Sequence, residues 1–334
     1  MRIRLFDIML FKVLIVIQIT SLAQDFHFSM NQLSPLNLKP AIVGNFDGDL
    51  RINSNHRSQW SAVTIPYSTY SISADLNTKK QLPIGFIINQ DRAGDSKFNT
   101  IQFNLGSAFN LISDSIQQLR VGFQSGITTR GINTNDITFD AQYNGTQFDP
   151  NLPTNENFSN FNHVYGNLNL GVHYMVNFKS QLIQIHASCF NLNQSNQSFL
   201  GATPPVSLDL KWIGKISHSY FINDFFSLTS SGFITRQGPH QEILIGTEFQ
   251  YTLAELSYLK RAFWTGIYYR TRDAVFVSSG FIFDAWKIGL SYDINLSKLI
   301  PASNMRGGFE IGVAYIMKKK IKLVSPLFIC PDYL

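Results

Sequence analysis

Along most of the chain, apolar and polar residues take turns. In 100–111, TIQFNLGSAFNL, the residues Ile101, Phe103, Leu105, Phe109 and Leu111 share one parity, while Thr100, Gln102, Asn104 and Asn110 hold the other. Successive side chains of a strand point to opposite faces, so such a run has one oily face and one wet face. The same alternation recurs in Leu119, Val121, Phe123 and Ile127, and in Leu168, Leu170, Val172, Tyr174 and Val176. It returns in Ile243, Ile245, Phe249 and Tyr251, in Ile288, Leu290, Tyr292 and Ile294, and in Phe309, Ile311, Val313 and Tyr315. Fourteen candidate strands follow, at 48–57, 69–77, 83–90, 98–111, 118–130, 164–176, 181–190, 206–217, 225–236, 241–252, 262–271, 274–283, 286–295 and 308–317.

This pattern predicts an all-β fold: an antiparallel transmembrane β-barrel of the outer-membrane type with about 14 strands. Soluble sandwiches alternate too, but three features separate the two. The wet face carries whole charges such as Glu248 and Asp293, as a watery lumen permits, and many of its other positions are Gly, Ala or Ser. The runs are also long, about nine to thirteen residues against about five or six in soluble strands. An even strand count predicts both termini on one side, which for outer-membrane barrels is the periplasm. On that assignment the three longest connections, 131–163, 191–205 and 296–307, all fall on the external side.

Composition supports the pattern. Charged residues are 15%, against about 25% in soluble domains. Hydrophobic content is 44%, yet no internal stretch approaches the roughly 20 apolar residues of a membrane helix. The 28 Phe and 13 Tyr suit strands and interfacial aromatic girdles. The N-terminus departs from alternation: Arg2 and Arg4, an apolar run over 13–19, then Ser21-Leu22-Ala23. This reads as a secretory signal peptide over 1–23. Residues 24–46 hold Pro35 and Pro40 and no clean period, which predicts an N-terminal arm or a partial plug of the lumen. The barrel is expected over 47–317 and a basic periplasmic tail over 318–334. The net charge of +5 lies partly in KKKIK at 318–322 and partly in the signal peptide. It predicts a solvated tail beside a membrane and no nucleic-acid partner. Cys189 and Cys330 are too few for a disulfide framework and read as unpaired structural residues.

The chain has no GxSxG, HExxH or P-loop, and its seven histidines are not spaced as metal ligands. No catalytic, cofactor-binding or metal-binding residue is predicted, and no enzyme activity. Charged clusters do stand out: Arg57-Ser58-Gln59-Trp60, Asp91-Arg92-Ala93-Gly94-Asp95, Arg270-Thr271-Arg272-Asp273 and Tyr292-Asp293-Ile294-Asn295. All four fall at the expected external end. They read either as mutual ion pairs that hold loops together or as a polar rim that receives a partner or passes a substrate.

At these clusters the sequence resembles the PorP/SprF family of type IX secretion system outer-membrane proteins of the Bacteroidota. The resemblance rests on FSMNQLSPLNLKPAIVGNFDGDLRINSNHRSQW, VTIPYSTYSISAD and IGFIINQDRAGDSKFNTIQFNLGSAFNL, and most of all on YYRTRDAVFVSSGFIFDAWKIGLSYDINLSKLIPASNMRGGFEIGVAY. The ending ICPDY is similar to the family's Cys-Pro tail, with Asp332 where a basic residue is more common, and 131–205 is similar only loosely. The resemblance implies a barrel in the outer membrane of gliding and related bacteria. Its implied role is support of secretion of a large surface protein, often an adhesin, that carries a gliding-type C-terminal sorting domain. It implies other type IX components as partners, and no cofactor. The expected partner site is formed by Arg57, Trp60, Asp91, Arg92, Asp95, Arg270, Arg272 and Asp273. The alternative function is a passive pore or small-solute transporter.

Overall fold

In a computed structural model, residues 25–318 are described, apart from 61–64, 79–81, 95–97, 133–138, 154, 156–161, 200–205, 257–258 and 298–299. The expected signal peptide, the tail beyond Lys318, Cys330 and Asp95 lie outside the described residues. The described chain forms a closed antiparallel barrel in which each strand pairs with its sequence neighbours and β1 closes on β14. The strands are β1 (Leu50–Gln59), β2 (Tyr67–Leu76), β3 (Ile84–Ala93), β4 (Phe98–Ser113), β5 (Gln117–Gly131), β6 (Asn162–Phe178) and β7 (Gln181–Phe190). They continue as β8 (Lys211–Phe221), β9 (Phe226–Gln237), β10 (His240–Leu256), β11 (Leu259–Arg270), β12 (Ala274–Phe283), β13 (Trp286–Asn295) and β14 (Arg306–Met317). Fourteen strands is the number the alternation predicts. Among the described residues no helix is long and apolar enough to cross a membrane; the strands make the crossing.

The faces sort as a bilayer requires. On β13, Trp286, Ile288, Leu290, Tyr292 and Ile294 are exposed, whereas Gly289, Ser291, Asp293 and Asn295 are buried. This inverts the soluble rule: the oily side faces outward to lipid and the polar side faces a lumen. One strand starts later than expected. The run at 206–210 alternates, but the backbone of Val206 and Leu208 bonds to Asn196, Gln197 and Ser195 of its own loop, so β8 begins only at Lys211.

The start of β1 and the end of β14 meet, with Leu50 opposite Met317. We call this the proximal end and the opposite one the distal end. The chain before β1 does not stay at the proximal end. Asp25 lies at the distal end, within reach of Arg130 at 3.7 Å and Gln237 at 3.1 Å. From there residues 25–48 run through the lumen to β1. The two ends of the described chain are therefore at opposite ends of the barrel, whereas the first and last strands meet at the proximal end.

The core lies between this segment and the inner wall. Met30 and Leu33 pack with Trp264 and Ala314. Leu36, Ile42 and Val43 pack with Ile87 and Ala108. Leu38 packs with Ile213, Phe233, Leu244, Tyr268 and Phe276. A polar-lined lumen can host such clusters only because the segment supplies an apolar partner at each level.

Candidate functional site

Arg57 is legible as an inward residue from its strand. On β1 the side chains of Arg51, Asn53, Asn55 and Arg57 are buried at alternate positions, whereas Ile52 and Ser54 are exposed. Register places Arg57 opposite Glu310 of β14, and Glu310 opposite Ser291 of β13. Arg57 donates to Asp293 at 2.7 Å and to Glu310 at 3.3 Å. Arg270, the last residue of β11, reaches Asp293 at 3.1 Å, Asp273 at 3.0 Å and Glu242 at 3.5 Å. Two guanidinium groups thus meet four carboxylates just inside the distal end.

This network grips the N-terminal segment. The backbone amides of Ser29 and Met30 donate to Glu310 at 2.6 and 3.2 Å. The Ser29 hydroxyl donates to Asp293 at 3.2 Å and accepts from Arg270 at 2.8 Å, and it also accepts from Arg57. His27 stands 3.8 Å from Glu242. Burying charges is costly, and the cost is offset only where each finds several partners. Here every charge at the centre of the cluster does.

Two further anchors hold the segment deeper in the lumen. At mid-depth Gln124 donates to the Leu36 carbonyl at 3.0 Å, and Ser188 donates to the Leu38 carbonyl at 2.9 Å. Towards the proximal end Arg120 donates to the carbonyls of Ala41 and Val43 at 2.9 and 2.7 Å. There the Gly44 amide donates to Asp75 at 2.7 Å, and Arg51 pairs with the same carboxylate at 2.8 Å. Gly122 permits the close approach: a Cβ on it would stand 2.4 Å from the Pro40 carbonyl oxygen.

The expected rim residues share the distal end but not one environment. Arg57 and Arg270 are 0% and 2% exposed. They face the lumen and the segment, below the exposed part of the rim. The physical reason is parity, which turns both side chains inward. Trp60, just past β1, is 42% exposed, with φ of 61° and its ring edge-on to Tyr67 at 5.1 Å. Arg92 and Arg272 are exposed, and Asp273 is half-exposed while paired to Arg270. Asp91 is half-buried and accepts from Thr69 at 2.6 Å. The mouth is therefore formed by Trp60, Arg92, Arg272 and Asp273, above a buried floor of Arg57, Arg270, Asp293 and Glu310. Ser29, Glu242 and Glu310 were not singled out from sequence. For the two carboxylates the signal was there: a charge on the wet parity near a strand end. Ser29 had none, because nothing in its local pattern announces a lumen. Among the described residues no group of three His, Cys, Asp or Glu could hold a metal ion.

Comparison with known proteins places this geometry. A family model described as "Type IX secretion system membrane protein PorP/SprF" matches residues 20–315. No curated protein matches in sequence. Among solved structures, the Ralstonia pickettii toluene transporter TbuX is similar at 9% identity, covering 85% of this chain and 92% of its own, with a TM-score of 0.50. The Pseudomonas putida toluene transporter TodX is similar at 10% identity, covering 87% and 94%, with a TM-score of 0.45. At such identities the likeness concerns the fold alone: an outer-membrane barrel.

Proposed function

The chain belongs to the PorP/SprF family of type IX secretion system membrane proteins, and from that premise we propose that this barrel supports the secretion and surface attachment of a large partner protein. The partner is an adhesin-like protein with a gliding-type C-terminal sorting domain, docked at the distal mouth, and the barrel acts without enzymatic chemistry. The distal end faces the cell surface and Met317 faces the periplasm. In support, the connection between β5 and β6 spans 132–161 and that between β7 and β8 spans 191–210, whereas the longest proximal connection is 77–83. Long loops on the external side are the rule for such barrels.

The observation that carries the reading is the occupied lumen. A passive open pore needs a clear path along its axis, and here residues 25–48 fill the axis and are bonded to the wall at three depths. What remains free to work is the rim, together with the periplasmic face, which other type IX components can reach. Trp60, Arg92, Arg272 and Asp273 contact the partner, with Asp91 beside them; Asp95, outside the described residues, belongs to the same proposed partner site. Arg57 and Arg270 act from below, by fixing the strand ends and the segment.

Replacing Trp60, Arg92 and Arg272 together by Ala tests this. These side chains are exposed, so assembly of the barrel, read by its heat-shifted mobility on gels, stays normal. Surface display of the secreted partner falls at least tenfold. Undiminished display with an assembled barrel overturns the proposal.

A further inference from the structure

Between the N-terminal segment and the wall formed by β7–β11, the lumen keeps a polar cavity of about 240 Å³. Lys39 enters it from the segment and Lys215 from β8, with Ser217, Ser219, Ser231 and Glu248 around them. Both lysines are half-buried. Neither has a hydrogen-bond or ion-pair partner among the described residues. The acid nearby is already engaged: Glu248 accepts from Gln32 at 3.2 Å and from Tyr268 at 3.3 Å, both neutral donors. A third lysine, Lys287 on β13, is outside the cavity lining and stands over the Trp264 ring at 4.9 Å.

Unpaired cations inside a protein are costly, and two of one sign on facing walls repel. Among the described residues, no hydrogen bond or ion pair of either lysine fastens the segment to β8, and the one carboxylate of the lining, Glu248, offsets only part of their charge. An anion between them turns that repulsion into a bridge. The remaining lining selects the kind of anion. Serine hydroxyls donate hydrogen bonds, ammonium groups bind phosphate as point charges, and the volume suits a tetrahedral group with several waters at about 30 Å³ each.

We propose that this cavity binds a tetrahedral oxyanion of the phosphate class, held between Lys39 and Lys215, and that the bound oxyanion fastens the luminal segment to β8. The source is either free inorganic phosphate or the phosphate of a lipid headgroup reaching in from a barrel end. The inference is independent of the partner proposed above, since none of the lining residues lies at the mouth.

The probe is inorganic phosphate, titrated into the full-length barrel in non-ionic detergent against chloride at equal ionic strength. Calorimetry is expected to show saturable, one-site binding, and phosphate to raise the thermal unfolding midpoint above its value in chloride. Lys39→Met and Lys215→Met each weaken binding at least tenfold. Glu248→Gln, which removes the one carboxylate of the lining, tightens it. Lys215→Arg, which keeps the charge, retains binding and guards against a variant that merely fails to fold. In a second arm, short-chain phosphatidic acid replaces phosphate: binding of the lipid alone assigns the site to a headgroup, and binding of both assigns it to the phosphate group itself. No saturable binding in either arm overturns the proposal. So does binding that both methionine variants keep in full, which marks an adventitious ion only.

Discussion

Arg57 has no route to solvent, and its two carboxylate partners belong to two other strands. Removing it leaves Asp293 and Glu310 buried close together with one cation, Arg270, between them and the segment. Breaking a buried pair in this way costs about 3–5 kcal/mol. We therefore expect Arg57→Ala to lower the stability of the assembled barrel by that order, read from the denaturant midpoint of unfolding in detergent, while Arg92→Ala at the exposed rim leaves it within about 0.5 kcal/mol. Equal midpoints for the two variants would show that the buried network is not what anchors this end. The identity of Arg57 as a residue of note was legible, since a charge cluster at a strand end is visible in sequence. Its partner was not. Glu310 lies 253 positions away, and only closure of the ring brings the two into register.

At the scale of elements, the strands were the most legible part. An alternation with period two, breaking at polar turns, leaves little freedom in where a strand lies when one side is lipid. The exception, the late start of β8, arose because a loop can also alternate: Ser207 forms a bridge with Asn196 instead of joining the wall. The luminal segment was the least legible. Its fold is two short 3-10 turns at Pro35–Asn37 and Pro40–Ile42, and its apolar side chains follow the contours of the wall rather than any period of their own. Its seat has a sequence requirement all the same. At Gly122 a Cβ would stand 2.5 Å from the Ala41 Cα as well as against Pro40. Gly122→Val is expected to leave the barrel assembled and to unseat residues 40–44. A cysteine placed at Val43, buried in the intact protein, would then react with a maleimide at least tenfold faster than in the parent. Unchanged labelling would mean that this contact does not hold the segment.

For the molecule as a whole, the occupied lumen separates the architecture from its use. Outer-membrane barrels of similar fold include transporters, and this one carries its own chain along the axis. We expect the intact protein in a planar bilayer to conduct far less than an open barrel of its size. Deletion of 25–46 should raise single-channel conductance at least several-fold. A large steady conductance in the intact protein would sink both the occlusion and the docking function built on it.

The path of that segment bears also on how the molecule comes to exist. Residues 25–48 precede β1, yet Ser29 bonds to Glu310, 281 positions later. Once β1 and β14 have joined, a closed ring offers no side entrance. A segment already lying against the early strands when the last one arrives needs none. Arg51, Asp75 and Arg120, on β1, β2 and β5, can hold its proximal half from the outset. In that order of assembly the segment would serve as a mandrel around which the sheet curls, its distal half fastened by the strands that finish the circle. Contacts of such long separation form slowly, so completion of the ring and fastening of the segment's distal half become one late event. A barrel that closed without it would differ in more than its lumen, because it would lack the shape against which its wall was wound.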